Sequence, residues 1–155
     1  MFITNHVLAG AIAGTALRRR PLVAFGVGLA THVAMDLTPH WGNPTLERDG
    51  FIAVAKRDGV LGLGVMALVT AAGVPPRTAL LAGIAGAAVL DADKPCEYFF
   101  GFNPWPGWLD RFHKRIQRES PEGIRTEVAA GVALAAVSAV VLARRRRLAG
   151  SAGAR

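Results

Sequence analysis

Cysteine is almost absent from this sequence, and carboxylates are scarce beside cationic side chains. The single Cys96 cannot form an internal disulfide, and no cysteine pair has zinc-finger or redox spacing. Gly-x-Ser-x-Gly, P-loop and dinucleotide-binding patterns are also missing. These absences argue against a disulfide scaffold, a thiolate metal site and several common enzyme classes.

The excess of positive charge is concentrated in arginine runs. The chain has 18 basic and 11 acidic residues, a net charge of +7, and seven arginines lie in Arg18–Arg20 and Arg144–Arg147. Each run follows an apolar segment, where contact with anionic lipid headgroups explains it better than binding to nucleic acid. We therefore expect membrane lipids as partners, and no nucleic acid.

Five apolar stretches predict the fold. They are Phe2–Leu17, Pro21–Thr38, Val60–Val74, Thr78–Leu90 and Ile124–Ala143. The composition is 52% hydrophobic with a mean hydropathy of +0.33, which indicates an all-α integral membrane bundle of about five short helices. We expect one domain over residues 1–147 and a disordered tail over 148–155. Because several stretches are shorter than the roughly 20 residues that cross a bilayer, a soluble all-α bundle is the alternative.

The charges segregate if alternate loops face opposite sides. One side then carries nine arginines and no acid: Arg18–Arg20, Arg77, Arg144–Arg147 and Arg155. The other side carries the remaining basic residues and every acid. Dense arginine in short loops marks the cytoplasmic side. This predicts a multi-pass protein with the N-terminus outside and the C-terminus in the cytoplasm.

Two longer loops, His40–Gly59 and Asp91–Gly123, fall on the predicted outer side. The second contains the aromatic run Tyr98–Trp108, which is typical of the headgroup layer. After it, Trp108–Arg118 has the pattern of a short amphipathic helix that lies in the membrane interface. An ordinary loop helix packed on the bundle fits the same pattern.

One segment combines three side chains that suit a metal ion. His32 and Asp36 are four residues apart, hence on one helix face, and His40 follows the helix-ending Pro39. A histidine and an aspartate inside an apolar helix are expensive to bury without a partner. They could share a metal ion, or they could form a buried hydrogen bond that locks two helices.

Every other histidine and carboxylate also falls on the predicted outer side. The candidates nearest to helix ends are His6, Asp58, Asp91, Asp93, His113, Glu119 and Glu127. Imidazole and carboxylate ligands without thiolate suit a divalent zinc, manganese or iron ion, or magnesium where carboxylates dominate. Nearby arginines that could hold an anionic group are Arg115, Arg118 and Arg125.

Several of these motifs resemble a known family. They are Asn5-His6 before Ala9-Gly10, His32-x-x-x-Asp36-x-x-Pro39-His40-Trp41, Asp91-x-Asp93, and Phe112-His113-x-x-Ile116-Gln117. The pattern resembles small bacterial membrane proteins similar to the DUF457-type inner-membrane metal-dependent hydrolase family. The resemblance implies a helical protein of the bacterial inner membrane. It also implies a hydrolytic metal site carried by His6, His32, Asp36, His40, Asp91, Asp93 and His113.

Together these features predict a metal-dependent hydrolase, similar to phosphatases or phosphodiesterases, acting on a lipid-linked or amphipathic phosphoester at the outer face. Asp58 or Glu119 would act as general base, and Arg118 would hold the phosphate. The alternative is a non-catalytic accessory or scaffold protein whose His–Asp contacts pin helices. A transporter is disfavoured because no polar path continues through the apolar helices.

Overall fold

A computed structural model describes residues 1–43 and 48–153, and most of these residues are helical. They form seven α-helices: α1 (Ile3–Ala16), α2 (Pro21–Asp36), α3 (Arg48–Ala72), α4 (Thr78–Ala88), α5 (Asp93–Phe100), α6 (Gly107–Ile116) and α7 (Ile124–Gly153). Two 3-10 turns, Val89–Ala92 and Pro121–Gly123, precede α5 and α7. The predicted all-helical fold is confirmed.

The helix ends follow local sequence signals in most places. Pro21 occupies the first turn of α2, where its missing N–H removes no hydrogen bond, and α2 ends shortly before Pro39. The predicted amphipathic helix is α6. The predicted start of the third helix at Val60 is wrong, because α3 already begins at Arg48. Hydropathy detects only the apolar half of this helix.

Two predicted irregular segments are also partly helical. The loop Asp91–Gly123 contains α5 as well as α6. Helix α5 ends at Phe100 and is capped by Gly101, whose φ of 74° is the left-handed conformation that glycine adopts at helix ends. The tail predicted to be disordered from residue 148 continues α7 as far as Gly153. Arginines are good helix formers, so the run Arg144–Arg147 does not end the helix. Arg155 and part of the loop after His40, residues 44–47, lie outside the described residues.

Helix α4 is the centre of the bundle and packs between α1 and α2. A Cβ placed on Gly83 would lie 2.4 Å from the carbonyl oxygen of Gly10 on α1. A Cβ placed on Gly28 of α2 would lie 2.2 Å from the carbonyl oxygen of Gly83. The helix backbones are therefore in direct contact, as in packed membrane helices with small interface residues.

Arginines gather at one end of the bundle, where they bind the last carbonyl groups of neighbouring helices. Arg145 Nη2 donates to the carbonyl of Ala16 at the end of α1, at 3.1 Å. Arg146 Nε donates to the carbonyl of Ala72 at the end of α3, at 2.7 Å. A cation at a helix C-terminus satisfies free acceptors and complements the helix dipole.

Two very short strands tie the end of α2 to the chain after α6. β1 (His40–Trp41) and β2 (Glu119–Ser120) pair in parallel, with His40 opposite Glu119. Just before them, the amide of Arg118 donates to the carbonyl of Asp36 at 3.1 Å. This pairing holds α6 against the C-terminal end of α2.

By length and composition, one helical stretch among the described residues, Pro121–Ser151, could cross a membrane. Helix α2 is apolar but shorter.

Candidate metal centre

At the end of the bundle opposite to the run Arg144–Arg147, polar side chains from four elements converge. His6 comes from α1, His32 and Asp36 from α2, and His113 from α6, and all four are fully buried. Asp91 joins them from the 3-10 turn that follows α4. We call these five residues the His–Asp cluster.

Asp36 is the centre of the cluster. Its Oδ2 lies 3.0 Å from His32 Nε2 and 3.3 Å from His113 Nε2, and its Oδ1 lies 3.3 Å from His6 Nε2. The α-amino group of Met1 also donates to Oδ1, at 2.8 Å. Three imidazoles therefore direct their Nε2 atoms at a single carboxylate.

Asp91 lies on the other side of the histidines. Its carboxylate oxygens are 3.9 Å from His6 Nε2 and 3.7 Å from His113 Nε2, and it forms an ion pair with Lys94. Two groups of ligand atoms, each within 4.8 Å of one another, overlap at His32: one with His6 and Asp36, the other with Asp91 and His113. Either group could hold a metal ion.

The spacing of these atoms is compatible with a coordination shell. His6 Nε2 and Asp36 Oδ2 are buried and make no hydrogen bond of acceptable geometry. Such orphaned polar atoms are costly inside a protein. Ligand atoms about 2.0–2.1 Å from a tetrahedral zinc ion lie about 3.3–3.4 Å apart, close to the separations found here. The donor set therefore fits a divalent cation.

Neighbouring groups orient two of the imidazoles. His32 Nδ1 lies 2.7 Å from the carbonyl oxygen of Ala87, which can only accept, so Nδ1 donates this bond and Nε2 is directed at the cluster. His113 Nδ1 lies 3.7 Å from Asp93 Oδ2. In metal sites, a carboxylate commonly accepts a hydrogen bond from the ring nitrogen that does not bind the metal, and so orients the histidine.

The electrostatics of the cluster favour charged carboxylates. Burial would raise the pKa of Asp91, but Lys94 and the nearby histidines lower it to about 2. Burial would likewise lower the pKa of His113, but the carboxylates of Asp36 and Asp93 outweigh this effect and raise it to about 9. Without a metal ion, a proton on His113 offsets part of the negative charge.

The structure brings together five of the seven predicted metal ligands and places Asp93 behind His113. His40, the seventh, is fully buried but lies outside both ligand groups. Its Nδ1 is 2.8 Å from the carbonyl oxygen of Thr38. The extended chain after Pro39 pairs with β2, so His40 does not turn back towards Asp36 as predicted.

Asp58, predicted as a general base, has a different partner. Its Oδ2 accepts the amide of Ile3 at 2.6 Å, and its Oδ1 accepts the hydroxyl of Thr4 at 2.6 Å. Glu127 similarly accepts the amide of Phe2 at 3.1 Å and the side-chain amide of Asn5 at 2.8 Å. Carboxylates from α3 and α7 thus cap the N-terminus of α1. The position of Asp58 does not support the predicted role in catalysis.

Glu119 and Arg118 are not brought into the cluster either. Glu119 is exposed in β2, and its side chain packs against Gly42. Arg118 contributes its backbone, which bonds to Asp36 and His40. Besides the α-amino group of Met1, the cation that approaches the cluster is Lys94, which pairs with Asp91 and was not among the predicted site residues. Its spacing of three from Asp91 on a helical turn was the available signal.

Comparisons of the chain with protein-family models, curated proteins and solved structures found no match. The resemblance to DUF457-type hydrolases therefore stays a prediction, and the site geometry carries the functional argument.

Proposed function

We propose that this protein is an integral membrane metalloenzyme that binds a divalent cation in the His–Asp cluster. It hydrolyses a phosphoester of a lipid-linked or amphipathic substrate at the outer membrane face. The observation that carries the proposal is the convergence of five ligand side chains from four elements, four of them fully buried, in two groups that share His32.

Membrane insertion is supported by the distribution of polar and apolar side chains. Large apolar side chains are exposed on three helices: Leu22, Val23, Phe25 and Val27 on α2, Val60, Leu61, Leu63 and Leu68 on α3, and Val128, Val132, Val137 and Val140 on α7. The histidines of the cluster are buried instead. Large exposed apolar surfaces are rare on soluble monomers, whereas lipid solvates them.

The dimensions of the bundle support the same placement. Along α7, Glu127 lies at the capped end of α1 and Arg144 begins the arginine run. Between them the helix rises about 26 Å at about 1.5 Å per residue. This span is slightly shorter than a hydrocarbon core of about 30 Å, and local thinning of the bilayer accommodates the difference.

The surroundings of the cluster suit hydrolysis of an anionic ester. A divalent cation lowers the pKa of a coordinated water to about 7 and so supplies hydroxide near neutral pH. Asp91 is slightly exposed, at 11% of its side chain, whereas His6, His32 and Asp36 are at 0%. A substrate would therefore approach past Asp91, where the ammonium group of Lys94 attracts phosphate.

Metal content tests the binding step. Purified wild-type protein in detergent should retain one or two divalent ions per chain by inductively coupled plasma mass spectrometry, and His32→Ala should lose them. His40→Ala is the matched control because His40 is equally buried but lies outside both ligand groups. A metal-free wild type, or equal metal content in both variants, would overturn the proposed site.

Hydrolysis is tested separately on the metal-loaded protein. Wild type should cleave a chromogenic phosphodiester or a lipid phosphate in mixed micelles, and Asp36→Asn should abolish cleavage. If the wild type binds metal stoichiometrically but cleaves no phosphoester, the cluster is a structural pin, and the alternative of a non-catalytic scaffold is supported.

A further inference from the structure

A long apolar groove runs along the bundle between α3 and α7. Both helices pack against α1, but they contact each other little, and the space between them has a volume of about 660 Å³. Its walls are mainly aliphatic: Leu61, Val65 and Leu68 on α3, and Val132, Ala135 and Ala139 on α7. Leu68 and Val132 are more than 60% exposed, so the groove opens towards the surroundings.

The groove is separate from the His–Asp cluster. Helix α1 presents Thr4, Asn5 and Leu8 to the groove, whereas His6 faces α2. No cluster residue lines the groove among the described residues. A ligand in the groove would therefore lie behind α1 and would not touch the proposed metal.

The length and lining of the groove suit a hydrocarbon chain. The groove extends from the level of Asp58 to that of Ala72, about 21 Å at about 1.5 Å per residue. A single extended hydrocarbon chain can lie along this length against the aliphatic walls.

The charges at the two ends of the groove give the occupant a direction. At one end the carboxylate of Asp58 is already bonded to Ile3 and Thr4. At the other end Arg146 is anchored through Nε to the carbonyl of Ala72, within the run of four arginines. Among the described residues that line the groove, Arg146 is the one cation, so an anionic headgroup finds a cationic donor in the lining at the arginine end.

We propose that the groove between α3 and α7 binds one acyl chain of an anionic phospholipid, with its headgroup at Arg146. The proposal rests on the membrane placement proposed above and not on the metal or the hydrolytic activity. The bound lipid fills a space that the protein leaves open, and so links α3 to α7.

Two adjacent alanines of α7 provide a matched test. Ala135 lines the groove, whereas Ala136 is exposed and does not line it. Native mass spectrometry of the full chain, exchanged into detergent containing phosphatidylglycerol, should show one retained lipid for wild type and Ala136→Phe. Ala135→Phe should show none, while its metal content stays that of wild type. Equal retention by the two variants, or no retained lipid in wild type, would overturn the proposal.

The headgroup is tested with Arg146→Gln. One arginine near a lipid surface contributes about 1 kcal/mol, so the variant should lose about fivefold in its preference for phosphatidylglycerol over phosphatidylcholine. An unchanged preference would refute the assigned direction. A lipid-free dimer that Ala135→Phe dissociates would instead show that a second copy occupies the groove.

Labelling of wild type covers the case in which Ala135→Phe does not fold. A phospholipid with a photoactivatable acyl chain should label peptides from residues 61–72 and 128–143 in preference to the exposed face of α2. Uniform labelling of all exposed helices would refute a specific groove.

Discussion

Replacement of Gly83 by alanine tests whether backbone contact at α4 holds the bundle together. The new Cβ would lie 2.4 Å from the carbonyl oxygen of Gly10 and 2.8 Å from the amide nitrogen of Gly14, whereas ordinary contact begins at 3.4 Å. Both neighbours are main-chain atoms and cannot rotate away. Helices α1 and α4 must therefore separate by roughly 1 Å, the amount by which the Cβ contacts fall short of ordinary contact.

The expected effect on stability follows from this overlap. Overpacking of a well-packed core costs about 1–3 kcal/mol, which corresponds to a fall in Tm of about 2–12 °C for a domain of this size. His6 lies one turn before Gly10 on α1, so the separation also displaces a metal ligand. We expect zinc affinity to fall by at least about tenfold, as when groups that position metal ligands are changed.

Intrinsic tryptophan fluorescence during heating, together with zinc titration in detergent, measures both effects. The control is Gly64→Ala in α3, because a Cβ on Gly64 would meet no atom within 4 Å. This control should gain about 0.4–1 kcal/mol, since alanine restricts the unfolded chain. Equal Tm values for the two variants would refute the claim that backbone contact at Gly83 stabilises the bundle.

Four further predictions concern the polar end of the bundle. The pKa of His113 is raised from 6.5 to about 9, so zinc must displace a proton from His113 when it binds below that pH. The apparent affinity for zinc should therefore rise about tenfold per pH unit up to about pH 9. An affinity that stays constant between pH 7 and 9 in a fluorescent competition assay would contradict this. In the metal-free protein the same group stabilises the fold fully below pH 6.5, and thermal scans should show this contribution disappearing as the pH rises through about 9. Asp58→Ala should lower the free energy of unfolding, measured with denaturant, by about 1–3 kcal/mol because it removes a cap of α1. The metal content should stay unchanged, and loss of the metal would indicate that Asp58 contributes to the metal site. Lys94→Met should raise KM for an anionic phosphoester while the metal content is preserved. An unchanged KM would refute a role of Lys94 in substrate binding.

The proximity of His32 and Asp36 could be predicted from the sequence because helical spacing is local. His32 and Asp36 must share a face at a spacing of four, and the structure places their side chains 3.0 Å apart. His6 and Asp91 were expected near the same level because each lies close to a helix end. Because successive helices run in opposite directions, the end of one helix and the start of the next lie at the same side of a bundle.

Residues in irregular segments could not be placed in the same way. His40 follows a proline, and only the long-range pairing of β1 with β2 shows which way the chain turns. Asp58 satisfies the sequence criteria for a base and for a helix cap equally. The partner that decides between them, the free amide of Ile3, is 55 residues away along the chain.

The main-chain carbonyl of Ala87 has a consequence for how the site can change through mutation. This carbonyl fixes which nitrogen of His32 carries the proton, and every residue type possesses one. Substitution at position 87 cannot remove the acceptor; only a change that moves the end of α4 can do so. The orientation of this imidazole therefore depends on where the backbone of α4 ends. A comparison of side chains at position 87 between variants would not detect a change in it.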